Sequence, residues 1–373
     1  MKILQTNFHT KWGGQAAVVL NLSRALAARG HSVTIATPLG SILAERATAV
    51  GLNVFSEARF NTRWRLFASF SDGSRLRRLI RSEGFDIVHS NGSPDGWGLT
   101  AAIRGMNPRP IVLRTRHNFK RIRLHYLNRW FYGQASDHVV AVSTGIKEHC
   151  LNSGLCSEDK VTVIHPALDT TAFRAGVIPR MRLREELGLS DDSLVIGTNA
   201  RLEVQKGIDF LLETFRDVQA QEPRAELVIA GHGKQRLILE AQARELGIAD
   251  KVKFCGFRSD IPVVLAGLDL FVLPSRTEGF GVALVEAMAM KLPVIGTRVG
   301  GITDILAGET CGVLVEHGDV KGFADAIVKL LQDPETRSRL GLAAQKRAQA
   351  FSPGFTAECH ETLYERLLAQ RKH

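Results

Sequence analysis

The sequence is short of several things. Nothing in its 373 residues approaches the roughly 18–20 consecutive apolar residues of a bilayer span, and apolar runs such as 268–273 are brief and broken by charge. The opening Met1-Lys2-Ile3-Leu4-Gln5-Thr6 lacks the apolar region and small-residue cleavage site of a secretory leader and reads as a strand. A membrane-spanning or secreted protein is therefore disfavoured. Cysteine is sparse and unpatterned: Cys150, Cys156, Cys255, Cys311 and Cys359 form no Cys-x-x-Cys, and no histidine pair stands nearby at zinc spacing. The expectation is reduced, mostly buried thiols in a cytoplasmic protein. Disorder has no footing either, because 45% of residues are hydrophobic and only 23% charged.

Negative charge is also short. Lys and Arg number 48 against 38 Asp and Glu, a net charge of +10. A basic chain of this kind binds something acidic: nucleic acid, an anionic membrane surface or phosphorylated small molecules. Between Asp95 and Asp137 there is no acidic residue at all. That stretch carries Arg104, Arg109, Arg114, Arg116, Lys120, Arg121, Arg123 and Arg129, interleaved with aromatic residues, and a second Arg- and aromatic-rich block spans 59–81.

Short β-rich runs alternate with helical periodicity. Ile3-Leu4-Gln5 reads as a strand, then Gly13-Gly14, then a helix over 15–28 whose Val19, Leu22 and Leu26 make one apolar face. Further strands read at 33–36, 86–89, 111–115 and 138–142, with helices over 73–82 and 144–152. After an Arg-rich connection with a short helix at 181–187, the series restarts with strands at 194–197, 227–230, 252–254, 270–273, 293–297 and 313–315. Strand–helix–strand alternation implies parallel sheets covered on both faces, so the fold class is α/β with two Rossmann-like domains. The expected division is 1–170, 171–351 and a C-terminal helix over 352–373.

The densest segment is Pro274-Ser275-Arg276-Thr277-Glu278-Gly279-Phe280-Gly281, which follows a strand and opens a helix containing Glu286. Ligands of open α/β sheets bind at the carboxyl ends of strands. Glycines let backbone approach them, and free amides of a helix N-terminus suit phosphate. Glu278 and Glu286 can hold different hydroxyls of one long ligand, or can simply be solvated or cap the helix. Arg201 and Lys206 follow another strand and place two cations in one loop, and Gly231-His232-Gly233 follows the next strand.

Glu278-Gly279-Phe280-Gly281 with Glu286-Ala287-Met288-Ala289 resembles the signature of family 4 glycosyltransferases, retaining enzymes of the GT-B fold. Gly13-Gly14, Arg29-Gly30-His31, Asp86-Ile87-Val88-His89 and Arg201 with Lys206-Gly207 are similar to the family in order and spacing, so the likeness covers nearly the whole chain. It implies two domains facing across a cleft, with the C-terminal helix returning to the first. It implies transfer of a sugar from a nucleotide-sugar, a UDP-sugar being favoured, to a lipopolysaccharide-core or lipid-linked glycan acceptor. Arg201 and Lys206 would neutralise the leaving diphosphate. Gly13, Gly14, Gly279, Phe280 and Gly281 would approach phosphate or sugar. Glu278 would touch the sugar, Glu286 the ribose, and Arg258 the nucleobase, mostly through backbone. His117 would contact the sugar, while His89 is not assigned a catalytic role. Lys291, expected at a helix C-terminus, stands where the family usually has Gly, and Asn118 where Asp is common.

Metal-dependent transferases of the other major fold use Asp-x-Asp, which occurs nowhere in this chain. No metal and no other cofactor is therefore expected. The two basic blocks fall in the N-terminal domain, where they suit an anionic lipid surface or phosphorylated sugars. No recognition helix, RNA-binding sheet or zinc motif supports nucleic acid. The resulting expectation is a cytoplasmic enzyme, peripheral on the inner face of the inner membrane. The other readings are a sugar-nucleotide epimerase, which would lack the Glu278 and Glu286 arrangement, a phosphorylase, which would be longer and need a pyridoxal-phosphate lysine, and a non-catalytic binding subunit, against which the intact Arg201, Lys206, Glu278 and Glu286 stand.

Overall fold

Strands that are apolar on both faces belong inside sheets covered by helices, and this chain builds two. The computed structural model describes residues 1–60, 65–119, 126–154, 156–308 and 310–371, with backbone alone over 65–70 and 126–127. β1 (Lys2–Thr6), β2 (Ser32–Ala36), β3 (Asn53–Phe55), β4 (Ile87–Ser90), β5 (Ile111–Arg116), β6 (His138–Ala141) and β7 (Val161–Val163) form a parallel sheet in the order β3-β2-β1-β4-β5-β6-β7. β8 (Leu194–Asn199), β9 (Ala225–Ala230), β10 (Val252–Gly256), β11 (Leu270–Leu273), β12 (Val294–Thr297) and β13 (Val313–Val315) form a second, in the order β10-β9-β8-β11-β12-β13. The chain divides into two compact units, Met1–Asp169 with Phe351–His373, and Thr170–Ala350.

In each sheet the strand order reverses once, at β1 beside β4 and at β8 beside β11. Loops leaving the carboxyl ends of strands at such a reversal diverge and open a crevice. The sheet thereby selects which loops are able to hold a ligand.

The C-terminal helix Pro353–Arg371 returns to the first unit, as expected. Its Leu363, Tyr364 and Leu367 share a core with Leu22 and Leu26 of helix Gly14–Ala28. Full burial of one such leucine contributes about 1.5–3 kcal/mol. Glu361 pairs with Arg29 and, at 2.9 Å, with His31, fixing the rim of that contact. No described helix is long and apolar enough to cross a membrane.

Several elements escape the sequence pattern. β3 and β7 are three residues each, too short for a period. Helix Ser93–Ile103 hides because Gly96 and Gly98 read as breakers. A Cβ at Gly96 would lie 2.4 Å from the Arg114 guanidinium, so this glycine makes room for a buried arginine. The helix expected over 73–82 extends across Arg65–Glu83.

Two members of the expected basic face are buried instead. Arg114 is 3% exposed and Arg116 9%, because β5 is an inner strand with both faces covered. The Arg114 guanidinium donates to Ser136 (2.5 Å), Thr100 (2.6 Å) and Ser90 (3.2 Å) and lies 3.6 Å over the Phe131 ring. Burial pulls it down to about 10. Arg109 is held by Asp137 in a two-pronged pair, and Phe131 and Tyr132 are core residues. Lys120, Arg121 and Arg123 lie outside the described residues, as do the side chains of 61–70. All five cysteines are free thiols, but only Cys150 and Cys311 are buried.

Candidate active site

In the second unit, the two loops flanking the β8/β11 reversal are fastened to each other. After β8 the chain passes Arg201 to a short 3-10 turn, Val204–Lys206, and Gly207 then opens helix Ile208–Gln221. Gly207 has φ +65°, and a Cβ there would sit 2.1 Å from the Pro274 carbonyl oxygen. Only glycine permits both the conformation and the approach. The Arg276 N–H donates to Gln205 O at 2.9 Å. The Arg276 guanidinium grips Asp209 at 2.7 and 2.6 Å and donates to Val204 O at 2.8 Å.

This fastening delivers Lys206 Nζ to Glu278 Oε2 at 2.5 Å, with Ser275 Oγ donating to the same oxygen at 3.2 Å. The two charged side chains are 16% and 13% exposed, so they act on each other, and on any ligand, through less screening than at a surface. Gly281, with φ +114°, caps helix Val282–Ala289 without any side-chain hydrogen bond. The first-turn amides are thus left to other partners. Phe280 is buried beside it. Glu286 lies on that helix, and burial alone pushes its carboxyl up to about 7.

The structure separates other expected residues from this cluster. Arg201 stands largely in solvent, paired with Glu203 at 2.7 Å. The Arg258 side chain is saturated by carboxylates: it donates to both oxygens of Asp260 at 2.8 Å and to both oxygens of Glu186. These bonds hold its guanidinium well above the ordinary arginine range and leave its backbone as the part available to a base. At Gly231, φ is +147° and a Cβ would lie 1.8 Å from Ala200 O. The glycines around His232 therefore seat β9 against β8.

The first unit gathers its polar groups at the β1/β4 reversal. Gly13 and Gly14 behave unlike Gly207: both are exposed, and a Cβ at either meets nothing within 4 Å. Gly13 is in extended backbone and caps helix Gly14–Ala28 with no side-chain bond. Packing gives no reason for glycine at either position. Beside this turn, His9 Nε2 lies 3.2 Å from Gln15 Oε1, and Gln15 Nε2 donates to the carbonyl of Asn91, which follows β4.

His117 follows β5 directly. Its Nε2 is buried without a partner among the described residues. Burial, with His9 and Arg116 nearby, pulls the ring down to about 4, so it is neutral at neutral pH. His89 is fully buried, bonded at both ring nitrogens, to Tyr364 Oη (2.8 Å) and Thr115 Oγ1 (2.6 Å). Asp95 Oδ2 accepts from Thr6 Oγ1 at 2.6 Å and Asn91 N at 3.0 Å, while burial raises the carboxyl to about 6.

Sequence reasoning missed His9, Gln15, Asn91 and Ser275. Ser275 had a signal, three residues before Glu278 in the densest motif. The others are joined only through the sheet and left none.

Two family models match the chain, one to each unit: Glycosyltransferase Family 4 over residues 12–172, and Glycosyl transferases group 1 over residues 179–347. N-acetyl-alpha-D-glucosaminyl L-malate synthase of Bacillus anthracis is 27% identical, covering 97% of this chain and 96% of that protein. UDP-Gal:alpha-D-GlcNAc-diphosphoundecaprenol alpha-1,3-galactosyltransferase of Escherichia coli is 29% identical over 69% of each. A glycosyltransferase structure from Rickettsia africae superposes with a TM-score of 0.85 at 20% identity, covering 98% of both chains.

Proposed function

Because the chain belongs to the family 4, group 1 glycosyltransferases, we propose that this transferase is a retaining, metal-independent one. Its donor is a UDP-sugar and its acceptor a lipid-linked or lipopolysaccharide-core glycan. The observation that carries the donor half is the Lys206–Glu278 pair at the β8/β11 reversal, 2.5 Å apart. Lys206 is a shielded cation in a loop held rigid by Gly207 and Arg276. Negative charge grows on the diphosphate as the glycosidic bond breaks, and a fixed cation lowers that barrier without reorganising. On donor binding, Lys206 turns to the diphosphate and Glu278 is released to accept from sugar hydroxyls. Arg201, the exposed partner of Glu203, adds a second cation. The uncapped amides after Gly281 take a phosphate oxygen, and Glu286 accepts from the ribose. His117, neutral and with Nε2 unpartnered, accepts a hydrogen bond from the sugar.

No carboxylate is assigned as a nucleophile for double displacement. The leaving diphosphate itself takes the acceptor proton, on the same face from which it departs. The galactosyltransferase relative named above uses UDP-Gal and a diphosphoundecaprenol acceptor, which supports both the UDP donor and a lipid-linked acceptor. The lipid linkage and the net charge of +10 favour action at the cytoplasmic face of the inner membrane.

Thermal shift against UDP, GDP and ADP tests the base. A ligand that binds only the folded state raises the melting temperature, and the largest shift is expected from UDP. Release of nucleoside diphosphate from a donor panel, unchanged by EDTA, tests the chemistry. Loss of turnover in EDTA with recovery on adding magnesium would overturn the metal-independent reading, and an inverted anomer by NMR would overturn retention. Equal sedimentation with neutral and anionic vesicles would remove the membrane assignment.

A further inference from the structure

A line of hydrogen bonds runs through the first unit from the glycine turn to the strand that carries His117, and one of its links comes from the far end of the chain. His9 Nε2 meets Gln15 Oε1, and Gln15 Nε2 donates to Asn91 O. Asn91 Nδ2 donates to Gln5 Oε1 at 3.0 Å, and Gln5 Nε2 donates to Tyr364 Oη at 3.4 Å. Tyr364 Oη meets His89 Nδ1 at 2.8 Å, and His89 Nε2 meets Thr115 Oγ1 at 2.6 Å.

The line has a direction, because donors and acceptors must alternate. Asn91 supplies an N–H to Gln5 Oε1, which places the Gln5 amide nitrogen toward Tyr364. Tyr364 Oη therefore accepts from Gln5, and the alternation continues when it gives its own proton to His89 Nδ1. His89 in turn carries its ring proton on Nε2 and donates it to Thr115. The Thr115 hydroxyl proton is then left to donate onward, two residues before His117. At the other end, Gln15 Oε1 accepts, so His9 is protonated at Nε2. In this arrangement His9 and His89 both carry the ring proton on Nε2, and Tyr364 is the link supplied by the C-terminal helix.

We propose that Tyr364, on the C-terminal helix, is a positioning residue for sugar transfer: its hydroxyl completes a line of hydrogen bonds that joins His9 and Gln15 at the Gly13–Gly14 turn to Thr115 beside His117. This rests on the donor-binding reading of Gly14 and His117 given above. Buried, fully satisfied polar networks rigidify what they connect, and transfer chemistry is sensitive to misplacement of about 1 Å. The hydroxyl touches none of the groups assigned to the nucleotide, so its loss is read in kcat and not in the Kd for UDP.

The test uses the full chain with four probes: UDP-glucose, UDP-galactose, UDP-N-acetylglucosamine and GDP-mannose. Tyr364→Phe removes the hydroxyl and keeps the ring. Leu367→Ala, in the same helix and core, removes packing without touching the relay. With the donor turned over fastest, Tyr364→Phe is expected to lose at least tenfold in kcat and to keep the Kd for UDP within twofold. The ring 15N shifts of His9 and His89 move in the same variant. Leu367→Ala is expected to lower the melting temperature yet keep kcat within twofold and the His9 shift unchanged. Thr115→Val, at the far end of the relay, reproduces the kcat loss should Tyr364→Phe fold poorly. The proposal is overturned if Tyr364→Phe and Thr115→Val both retain kcat within twofold, or if Leu367→Ala loses as much as Tyr364→Phe. A wild-type protein that turns over none of the four donors defeats the functional reading instead. In that case the His9 shift alone decides the relay: movement in Tyr364→Phe upholds it and no movement overturns it.

Discussion

The candidate sites in the two units of this enzyme are built on opposite principles. In the second unit, the loops around β8 and β11 are locked by backbone contact: Gly207 leaves no room for a Cβ against Pro274, and Arg276 bridges to Asp209 and Val204. In the first unit, the Gly13–Gly14 turn is open, and a line of hydrogen bonds runs from beside it to the C-terminal helix. The same residue type, glycine, therefore does different things in the two places. At Gly207 it is required by the fold, whereas at Gly14 nothing in the fold requires it, and the requirement is assigned to the ligand.

Lys206→Ala gives the largest expected effect. Removing the shielded cation proposed to face the leaving group is expected to lower kcat/KM by about 10²–10³-fold, in the range seen for single electrostatic stabilisers. Steady-state kinetics with the best donor checks this. A loss below fivefold would place the diphosphate charge elsewhere, on Arg201 or the helix amides.

Paired glycine variants break or sharpen the comparison directly. Gly207→Ala puts a Cβ against a backbone oxygen in a left-handed conformation, and is expected to cost about 3 kcal/mol of stability. Gly14→Ala is expected to change stability by less than about 0.5 kcal/mol, with any change in the stabilising direction, and yet to reduce kcat/KM at least tenfold. Urea denaturation and kinetics on both variants separate the two roles. If Gly14→Ala is fully active, the open turn is not a phosphate-approach site.

The difference between the units also explains what was legible in the sequence. The parallel α/β architecture, β8 through β13, and the candidate status of Lys206 and Glu278 could be anticipated because their determinants are contiguous: apolar runs, glycine loops and a motif between Pro274 and Glu286; the contact between Lys206 and Glu278, 72 residues apart, could not. The first-unit site is written in pairs that no local pattern connects. Gln5 and Tyr364 are 359 residues apart, and His9 meets Asn91 only through Gln15. Arg114 and Arg116 misled for the related reason that charge density along a chain does not say which face a strand turns to the core. Helix Ser93–Ile103 was hidden by Gly96, whose purpose is visible only once Arg114 is in place.

A pH experiment separates the carboxylate of the second unit from the histidines of the first. The Glu286 carboxyl is raised from the ordinary glutamate range to about 7 by burial. The folded state therefore binds more protons than the unfolded state between about pH 4.5 and 7, and stability from this group falls as pH rises through that window. Histidines held near pKa 4 by burial, His117 and His360, act in the opposite sense. Their contribution is lost as pH falls from about 6.5 to 4. Glu286→Gln removes the first effect alone. At pH 8 it is expected to stabilise the protein by about 3 kcal/mol, while weakening UDP binding by removing the proposed acceptor for the ribose. Melting curves from pH 4 to 8 check both slopes. A variant that gains no stability at pH 8 would show that Glu286 is solvated in the free enzyme.

The smallest expected effect lies away from both sites, at Lys291. It follows helix Val282–Ala289, the helix that carries Glu286, and adopts φ +61°. Helices commonly end on one left-handed residue, and glycine takes that conformation without the clash between Cβ and the carbonyl that a side chain incurs. The lysine cation is favourably placed near the negative end of the helix dipole, worth about 0.3–1 kcal/mol at an exposed position, which offsets part of the backbone strain of about 1–2 kcal/mol. Lys291→Gly is therefore expected to raise stability by at most about 1 kcal/mol, and by more at high salt, where the dipole interaction is screened. Kinetics should not change, because the residue touches neither loop at the β8/β11 reversal. If Lys291→Gly lowers turnover while stabilising the fold, then the strain at the end of this helix is transmitted to Glu286, and the rigid side of the comparison is less rigid than Gly207 makes it.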